Sequence, residues 1–571
     1  MKRFLKIIFA AIAFVMVLGA IVLGILVYRK YSEGTERADR NAYFELNAAG
    51  EGAIMLNGSI LEDKCRVLNG ICYLDIETVQ QYLHNRFYYT EVSRELRYTD
   101  ATTVVAAPLD YSSWTSTTAG ETVSFEEPYL IAFTMGDTCY VALDFVEKYV
   151  PVTHQIYQEP DRVVIDSMEG CRELGIVKKD TAVRRRAGVK SPILTDVLKG
   201  DRVMVLDAES TEDWTKVATA DGFVGYIKNS RLGDKEMVTT VSTLEYTQPE
   251  YTSIQLDDKI RLGFHAVYNQ TANGNLLQVL ETAYNINVIS PTWFALKDNL
   301  GNFTSIASSD YVQTAHSKDI QVWALVEDIT YKDSIDLYEV LANSDNRTNL
   351  IEGLVSAAVE YDIDGLNIDF EYVRQRQGEH FIQFLRELSI RCREEGIILS
   401  VDNYPPNEDN KRYYDYKEQG IIADYVVLMN YDEHWSGSGD PGSTSSQPFV
   451  ETSIESILKY VDASKVINAL PFYTRLWKTS DGKVTDNAIM MKAIDANVSQ
   501  LGMIIDTDAA TGQKYAKADV KGVLYEMWIE DYASMENKLK AVFENDLAGI
   551  AAWRLGYENQ EIWELIGQYI R

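Results

Sequence analysis

Apolar and polar positions along the chain fall into three regimes. In the first, Lys2, Arg3 and Lys6 are followed by a run from Ile7 to Tyr28 without a single charge, which Arg29 and Lys30 close. At ~1.5 Å per residue such a run covers the ~30 Å hydrocarbon core of a bilayer. It stays bulky from Leu23 to Tyr28, with no small-x-small site before the basic pair. It therefore reads as an uncleaved anchor rather than a signal peptide, with the basic tail inside and the rest outside. The second regime, from about residue 56 to 233, is short β-rich runs separated by turns. The third, from about 259 to 571, alternates apolar runs with amphipathic stretches. The runs are Ile260 to Phe264, Asn287 to Ser290, Ile320 to Val326, Gly365 to Glu371, Ile397 to Val401, Tyr425 to Met429, Lys465 to Pro471 and Gly549 to Trp553. Eight strands with helical intervals predict a (β/α)8 barrel in an α/β chain.

The middle regime divides further. Residues 36–55 are polar and read as a tether behind the anchor at 1–35. Within 56–170, Cys72-Tyr73-Leu74, Ile76, Val79 and Tyr82-Leu83 recur at the same offsets as Cys139-Tyr140-Val141, Leu143, Val146 and Tyr149-Val150. Each copy predicts a strand running into an amphipathic helix, in an α+β arrangement. This resembles the repeat domain at the amino terminus of copper amine oxidases and in bacterial surface proteins, and no copper ligands accompany it. Residues 171–233 read as an all-β module: Ala182-Val183-Arg184, Asp201 to Leu206, Trp214 to Val217, Gly222 and Gly225-Tyr226-Ile227. The last part is similar to bacterial Src-homology-3-like domains, which in wall-acting enzymes contact peptidoglycan. A polar linker at 234–258 leads into the barrel at 259–571.

Charge narrows the partners. Lys+Arg number 54 against Asp+Glu 85, a net charge of -31, which disfavours nucleic acid and repels the soluble part from anionic lipid surfaces. Five cysteines match no zinc spacing, and the six histidines, His434 among them, form no His-x-x-x-His pair. The sequence calls for no metal and no cofactor.

The chemistry concentrates in Asp364-Gly365-Leu366-Asn367-Ile368-Asp369-Phe370-Glu371. As a strand, this puts Asn367, Asp369 and Glu371 on one face and Leu366, Ile368 and Phe370 on the other. Two carboxyl groups in a row at the carboxyl end of a barrel strand are costly as structure and placed where parallel barrels keep their chemistry. Further on stand Met429-Asn430-Tyr431-Asp432, Leu470-Pro471-Phe472-Tyr473-Thr474-Arg475 and Trp553. Together these resemble glycoside hydrolase family 18, the chitinases and N-acetylglucosaminidases, whose fourth strand reads Asp-x-x-Asp-x-Asp-x-Glu. The third-strand Ser-x-Gly-Gly run is replaced by Gln321 to Leu325, and the middle aspartate is Asn367. That variant is similar to the branch acting on bacterial peptidoglycan, spore-cortex N-acetylglucosaminidases included.

The resemblance implies a retaining hydrolase that cleaves β-1,4 bonds next to N-acetylglucosamine, with the substrate's 2-acetamido oxygen as nucleophile, an exception to the two-carboxylate rule. Glu371 is then the general acid, Asp369 orients the acetamide, and Tyr431 hydrogen-bonds the same group. Asn367 supports Asp369, but takes away the second aspartate with which the family shuttles a proton. Trp553 offers a stacking face, and Arg475, Asp432, Met429 and Tyr473 complete the expected substrate contacts. Trp293, Trp323, Trp435 and Trp477, at or just beyond strand ends, are further subsite candidates. The expected partner is an N-acetylglucosamine-containing polysaccharide, peptidoglycan ahead of chitin, met by a single-pass membrane protein with its catalytic domain outside. The alternatives are a chitinase and a catalytically silent sugar-binding protein.

Overall fold

A computed structural model of the protein describes residues 1–206 and 210–570. Helix α1 spans Lys2–Tyr31, none of it buried, and is long and apolar enough to cross a membrane. The chain forms two compact units: residues 1–89, 107–114 and 124–248 in one, and 90–106, 115–123 and 249–571 in the other.

The first unit is built on two seven-stranded sheets. In one of them the two repeat copies meet: Ile71–Asp75 pairs antiparallel with Thr138–Ala142, Tyr73 opposite Ala142, and each strand runs directly into a short helix, Ile76–Tyr82 and Leu143–Val146. The other sheet carries the Src-homology-3-like strands around Val183, Val203, Val217 and Ile227. Residues 36–55, expected as a tether, are folded into this unit. Arg40–Tyr43 is helical, Phe44 is buried, and Glu51–Leu56 is a central strand. The sequence signal was too short to see: one buried aromatic and one four-residue apolar run inside a polar stretch. Leu232–Thr240 likewise extends a strand into the expected linker, paired with Gly170–Val177.

The second unit is the barrel. Its strands are β1 (Ile260–His265), β2 (Val288–Leu296), β3 (Gln321–Glu327), β4 (Gly365–Asp369), β5 (Ile398–Asn403), β6 (Tyr425–Met429), β7 (Val466–Pro471) and β8 (Gly549–Trp553). All are parallel to their neighbours, and β1 pairs with both β2 and β8, closing the ring. Every expected strand is present. The alternation on β4 sorts as its side chains demand. Leu366, Ile368 and Phe370 pack outward under the helices, where Phe370 stacks on Phe384 of Gly378–Glu395. Burying each such side chain contributes roughly 1.5–3 kcal/mol. Gly365, Asn367 and Asp369 face inward. A Cβ on Gly365 would lie 2.8 Å from the Trp323 ring, so the glycine leaves room for the tryptophan that, with Leu325, Ile398, Tyr425 and Val427, fills the barrel floor.

Between β7 and β8 the chain inserts a five-stranded antiparallel sheet, Tyr473–Ser480, Lys483–Met490, Ile504–Asp508, Gln513–Val520 and Val523–Ile529. This sheet lies outside the eight expected strands, although Asp481-Gly482 and Lys521-Gly522, all four at positive φ, are two-residue hairpin turns. Residues 90–106 bring a β-hairpin onto the barrel's outer helices: Arg97 Nη1 donates to Glu387 Oε1 (3.0 Å) and Gln383 Nε2 donates to Thr99 Oγ1 (2.8 Å).

Candidate active site

Strand register sets the layout. Asn367 on β4 pairs with Leu325 on β3 and Ser400 on β5, and Asp369 pairs with Glu327. One residue beyond the Ile368–Val401 pair, Asp369 and Asp402 therefore stand side by side on neighbouring strands, facing the same way. Below them Ser400 Oγ donates to Asn367 Oδ1 (2.5 Å) and Asn367 Nδ2 donates to Asp402 Oδ2 (2.8 Å). Asp369 Oδ1 and Asp402 Oδ1 are both buried without a hydrogen-bond partner. Burial first, then the charges of Asp402 and Glu371, hold the Asp369 carboxyl well above the usual range. Burial pushes Asp402 up to about 8, against the stabilising amide of Asn367. Like charges this deep in a low-dielectric site disfavour simultaneous ionisation.

Glu371 lies two residues past the last residue of β4, half-buried. Its backbone N–H and that of Tyr372 donate to the two oxygens of Asp328 (2.9 and 3.0 Å), which fixes the turn that carries it. The Tyr404 hydroxyl donates to Glu371 Oε2. Burial and the charges of Asp432 and Glu327 raise its carboxyl above the ordinary value, with Tyr404 and Arg374 acting the other way. A carboxyl whose proton is held more firmly than usual, at a barrel mouth, is suited to give that proton to a leaving oxygen. Burial likewise pushes Asp328 up to about 7.

Tyr431 and Trp553 both pack, half-buried, on the cluster that fills the barrel interior, and thereby reach the mouth from β6 and β8. Tyr473 Oη and Arg475 Nη2 donate to the same oxygen of Asp432 (2.6 and 2.8 Å), and Arg475 Nη1 donates to Asp486 Oδ2 (2.8 Å). Both Nη groups of Arg475 are thus engaged within the protein, holding Asp432 at the rim. Met429 is 5 % exposed, so its contact surface is small. A cleft of about 860 Å³ opens beside this group, lined by Tyr404, Tyr413, Tyr431, Trp435 and Arg475 among others.

Of the four further tryptophans, Trp435 alone is in the cleft lining, 57 % exposed. Trp323 belongs to the barrel floor, stacked on Tyr425, while Trp293 Nε1 donates to Asn273 Oδ1 and Trp477 Nε1 to the Gly442 carbonyl. Proximity to a strand end does not expose a large ring when its N–H finds a partner inside. Asp364, first of the signature acids, lies at the opposite end of β4, accepting from Val322 N (2.7 Å) and bonded to His316 Nε2 (2.8 Å). Sequence reading missed Asp328, Tyr404 and Asp402. For Asp402 the signal existed: Ser400-Val401-Asp402 repeats the polar-inward alternation of β4.

Comparison with known proteins bears on the family and the fold. The sequence model for Glycosyl hydrolases family 18 matches residues 261–558, and that for the bacterial SH3 domain matches 179–233. The uncharacterized glycosylase YvbX of Bacillus subtilis is 26 % identical over 309 residues, covering 52 % of this chain and 88 % of that protein. The cortical fragment-lytic enzyme of Bacillus anthracis is 28 % identical over 242 residues, 41 % of this chain and 56 % of that protein. This chain thus spans just over half of the latter's length. The crystal structure of the Bacillus cereus spore cortex-lytic enzyme SleL superposes with a TM-score of 0.50 at 20 % identity, covering 58 % of this chain and 79 % of that one, a likeness of fold.

Proposed function

The chain belongs to glycosyl hydrolases family 18, a family of glycosidases, and from that membership we propose that it cleaves β-1,4 bonds next to N-acetylglucosamine in peptidoglycan, with retention of configuration. The observation that carries the reading is the division of labour on one strand. Glu371, half-buried with its carboxyl raised, accepts from Tyr404 of the cleft lining, while Asp369, the last residue of β4, is 7 % exposed with one oxygen unpartnered.

In this mechanism Glu371 gives its proton to the glycosidic oxygen as the bond to the anomeric carbon breaks. The substrate's acetamide oxygen attacks that carbon from the other face, forming an oxazolinium ion. Asp369 accepts a hydrogen bond from the acetamide N–H, which orients the nucleophile and balances the positive charge, and Tyr431 donates to its oxygen. Water, deprotonated by Glu371, then opens the ring with net retention. Trp553 supplies the face on which the sugar stacks. Asn367, Asp432, Tyr473 and Arg475 hold these groups in place.

Peptidoglycan is favoured over chitin by three features: an N-terminal helix long and apolar enough to anchor the chain in a membrane, a bacterial SH3 domain ahead of the barrel, and relatives named for lysis of cortical fragments. With a net charge of -31, attraction to anionic wall polymers cannot supply selectivity, so contacts in the cleft must. The test uses the full chain in detergent micelles. Purified glycan strands should release N-acetylglucosamine-ended fragments faster than chitin oligomers do, and proton NMR should show the retained anomer first. A thiazoline mimic of the oxazolinium ion should inhibit strongly. Preference for chitin oligomers would make the protein a chitinase, and glycan binding without any cleavage would make it a sugar-binding protein.

A further inference from the structure

Asp402 has no part in the mechanism above, yet it is the most deliberately placed acid in the barrel. It is 3 % exposed, in register with Asp369 across the β4–β5 boundary, and tied by one oxygen to Asn367 Nδ2 at 2.8 Å. Its other oxygen, like Oδ1 of Asp369, is buried without a partner. The charged and titratable groups around it are Asp369 and Glu371 from β4 and the turn after it, and Tyr431 from the end of β6. No cation is among them. A buried acid next to a second one, with an amide aimed at it and no counter-charge, is not the arrangement of a structural ion pair.

We propose that Asp402 is a positioning residue that forms a one-proton dyad with Asp369, supplying from strand β5 the second carboxyl that Asn367 denies to strand β4. The proposal rests on the reading that Asp369 orients the acetamide. Its proton balance is simple. Between its two titration steps the pair in the free protein holds one proton. When the acetamide N–H reaches Asp369, that carboxyl must be charged to accept it, and the proton passes to Asp402. No net proton enters or leaves, and Glu371 keeps its own. Asn367 and Ser400 serve as the clamp that fixes the Asp402 carboxyl while its proton comes and goes. A pair sharing one proton titrates as a unit in two steps, the first below and the second above where either acid would titrate alone in the same burial.

The test compares wild type, Asp402→Asn and Asn367→Asp/Asp402→Asn as full chains, with thermal midpoints confirming that each is folded. On a fluorogenic N-acetylglucosamine oligomer, Asp402→Asn should move the acid limb of kcat/KM upward by about one pH unit or more, since an isolated buried acid ionises later than the first step of the dyad. The double variant, which returns a carboxyl to β4, should move that limb back. Infrared titration of the buried protonated carboxyl band provides a readout free of substrate. Asp402→Asn and Asp369→Asn should each lower the pH at which the band is lost, because each removes the charge that retained the last proton. An unmoved acid limb in Asp402→Asn, or an unmoved infrared transition, overturns the dyad. If no N-acetylglucosaminide is turned over by wild type, the functional reading fails, and the infrared arm still decides the pairing.

Discussion

Two groups of buried carboxyls in the same barrel unit are treated in opposite ways. On the outer helices, Glu387 receives Arg347 Nε and Nη2, Arg97 Nη1 and Gln383 Nε2, all at 2.7–3.0 Å, and its carboxyl is pulled down to about 2 by the two guanidinium groups against the cost of burial. At the mouth, Asp369, Glu371, Asp402 and Asp328 crowd together, with Arg374 and Lys332 acting on Glu371 from the rim, and burial raises every one of them. The first cluster is what a fold does with acids it needs for cohesion. The second is what a site does with acids it needs for proton transfer, and it is held against its own repulsion by the rigid strands around it.

The largest effect should come from the mouth. Glu371→Gln keeps shape and removes the proton, so turnover should fall by at least ~100-fold with glycan binding largely kept. Because it also removes a crowded acid, the thermal midpoint should hold or rise. Near-native turnover in this variant would take the acid role away from Glu371. On the helices the pattern should invert. Glu387→Gln takes from buried Arg347 the carboxylate that its Nε and Nη2 reach, while Arg97 keeps Glu95, a loss of about 3–5 kcal/mol, visible in the urea midpoint of the barrel, while turnover per folded molecule stays within about twofold, a difference worth only a few tenths of a kcal/mol. Unchanged stability would show that the cluster is ornamental.

Much of this contrast was legible beforehand. The alternation from Leu366 to Phe370 sorts inward and outward side chains because β side chains have a strict period of two, and eight apolar runs gave the barrel count because each must be buried on both faces. The Glu387 cluster and the place of Glu51–Leu56 in its sheet were hidden because their partners are distant in sequence: Arg97 meets Glu387 across 290 residues, and Ala53 stands opposite Arg162. The inserted sheet differs, being built of local hairpins whose Asp481-Gly482 and Lys521-Gly522 turns are legible in the sequence. Asp402 was hidden differently. Its alternation with Ser400 was readable, but its importance comes only from standing beside Asp369, a register fact.

The pH dependence of stability should separate the clusters next. Glu387 has a folded value near 2 against 4.5 in the unfolded chain, so its stabilisation is complete above 4.5 and disappears as pH falls toward 2. That amounts to roughly 3 kcal/mol across the window. Asp402 has the opposite sign. Its value rises from 3.8 to about 8 on folding, so its neutral form is accommodated below 3.8 and stability declines as pH rises toward 8. Thermal midpoints from pH 2 to 9 should therefore pass through a maximum on the acid side of neutrality. Glu387→Gln should flatten the acid arm and Asp402→Asn the alkaline arm. A variant that flattens the other arm would reverse the assignment of the two clusters.

The smallest expected effect is the most pointed, because its sign is against intuition. Replacing a buried polar residue ordinarily destabilises by leaving its partners unsatisfied, but Asp369 leaves Oδ1 with no partner to lose. In Asp369→Asn the new amide has an acceptor at hand in the equally unpartnered Oδ1 of Asp402, its register neighbour. The contact that a single shared proton makes between the two carboxyls is replaced by one with a permanent amide donor. At pH 7 the variant should gain about 1 kcal/mol, a rise of a degree or two in thermal midpoint for a unit of this size, while glycan cleavage collapses. A loss of stability of the same size would mean that the mouth acids are satisfied by contacts of their own, and the contrast with Glu387 would then be one of degree.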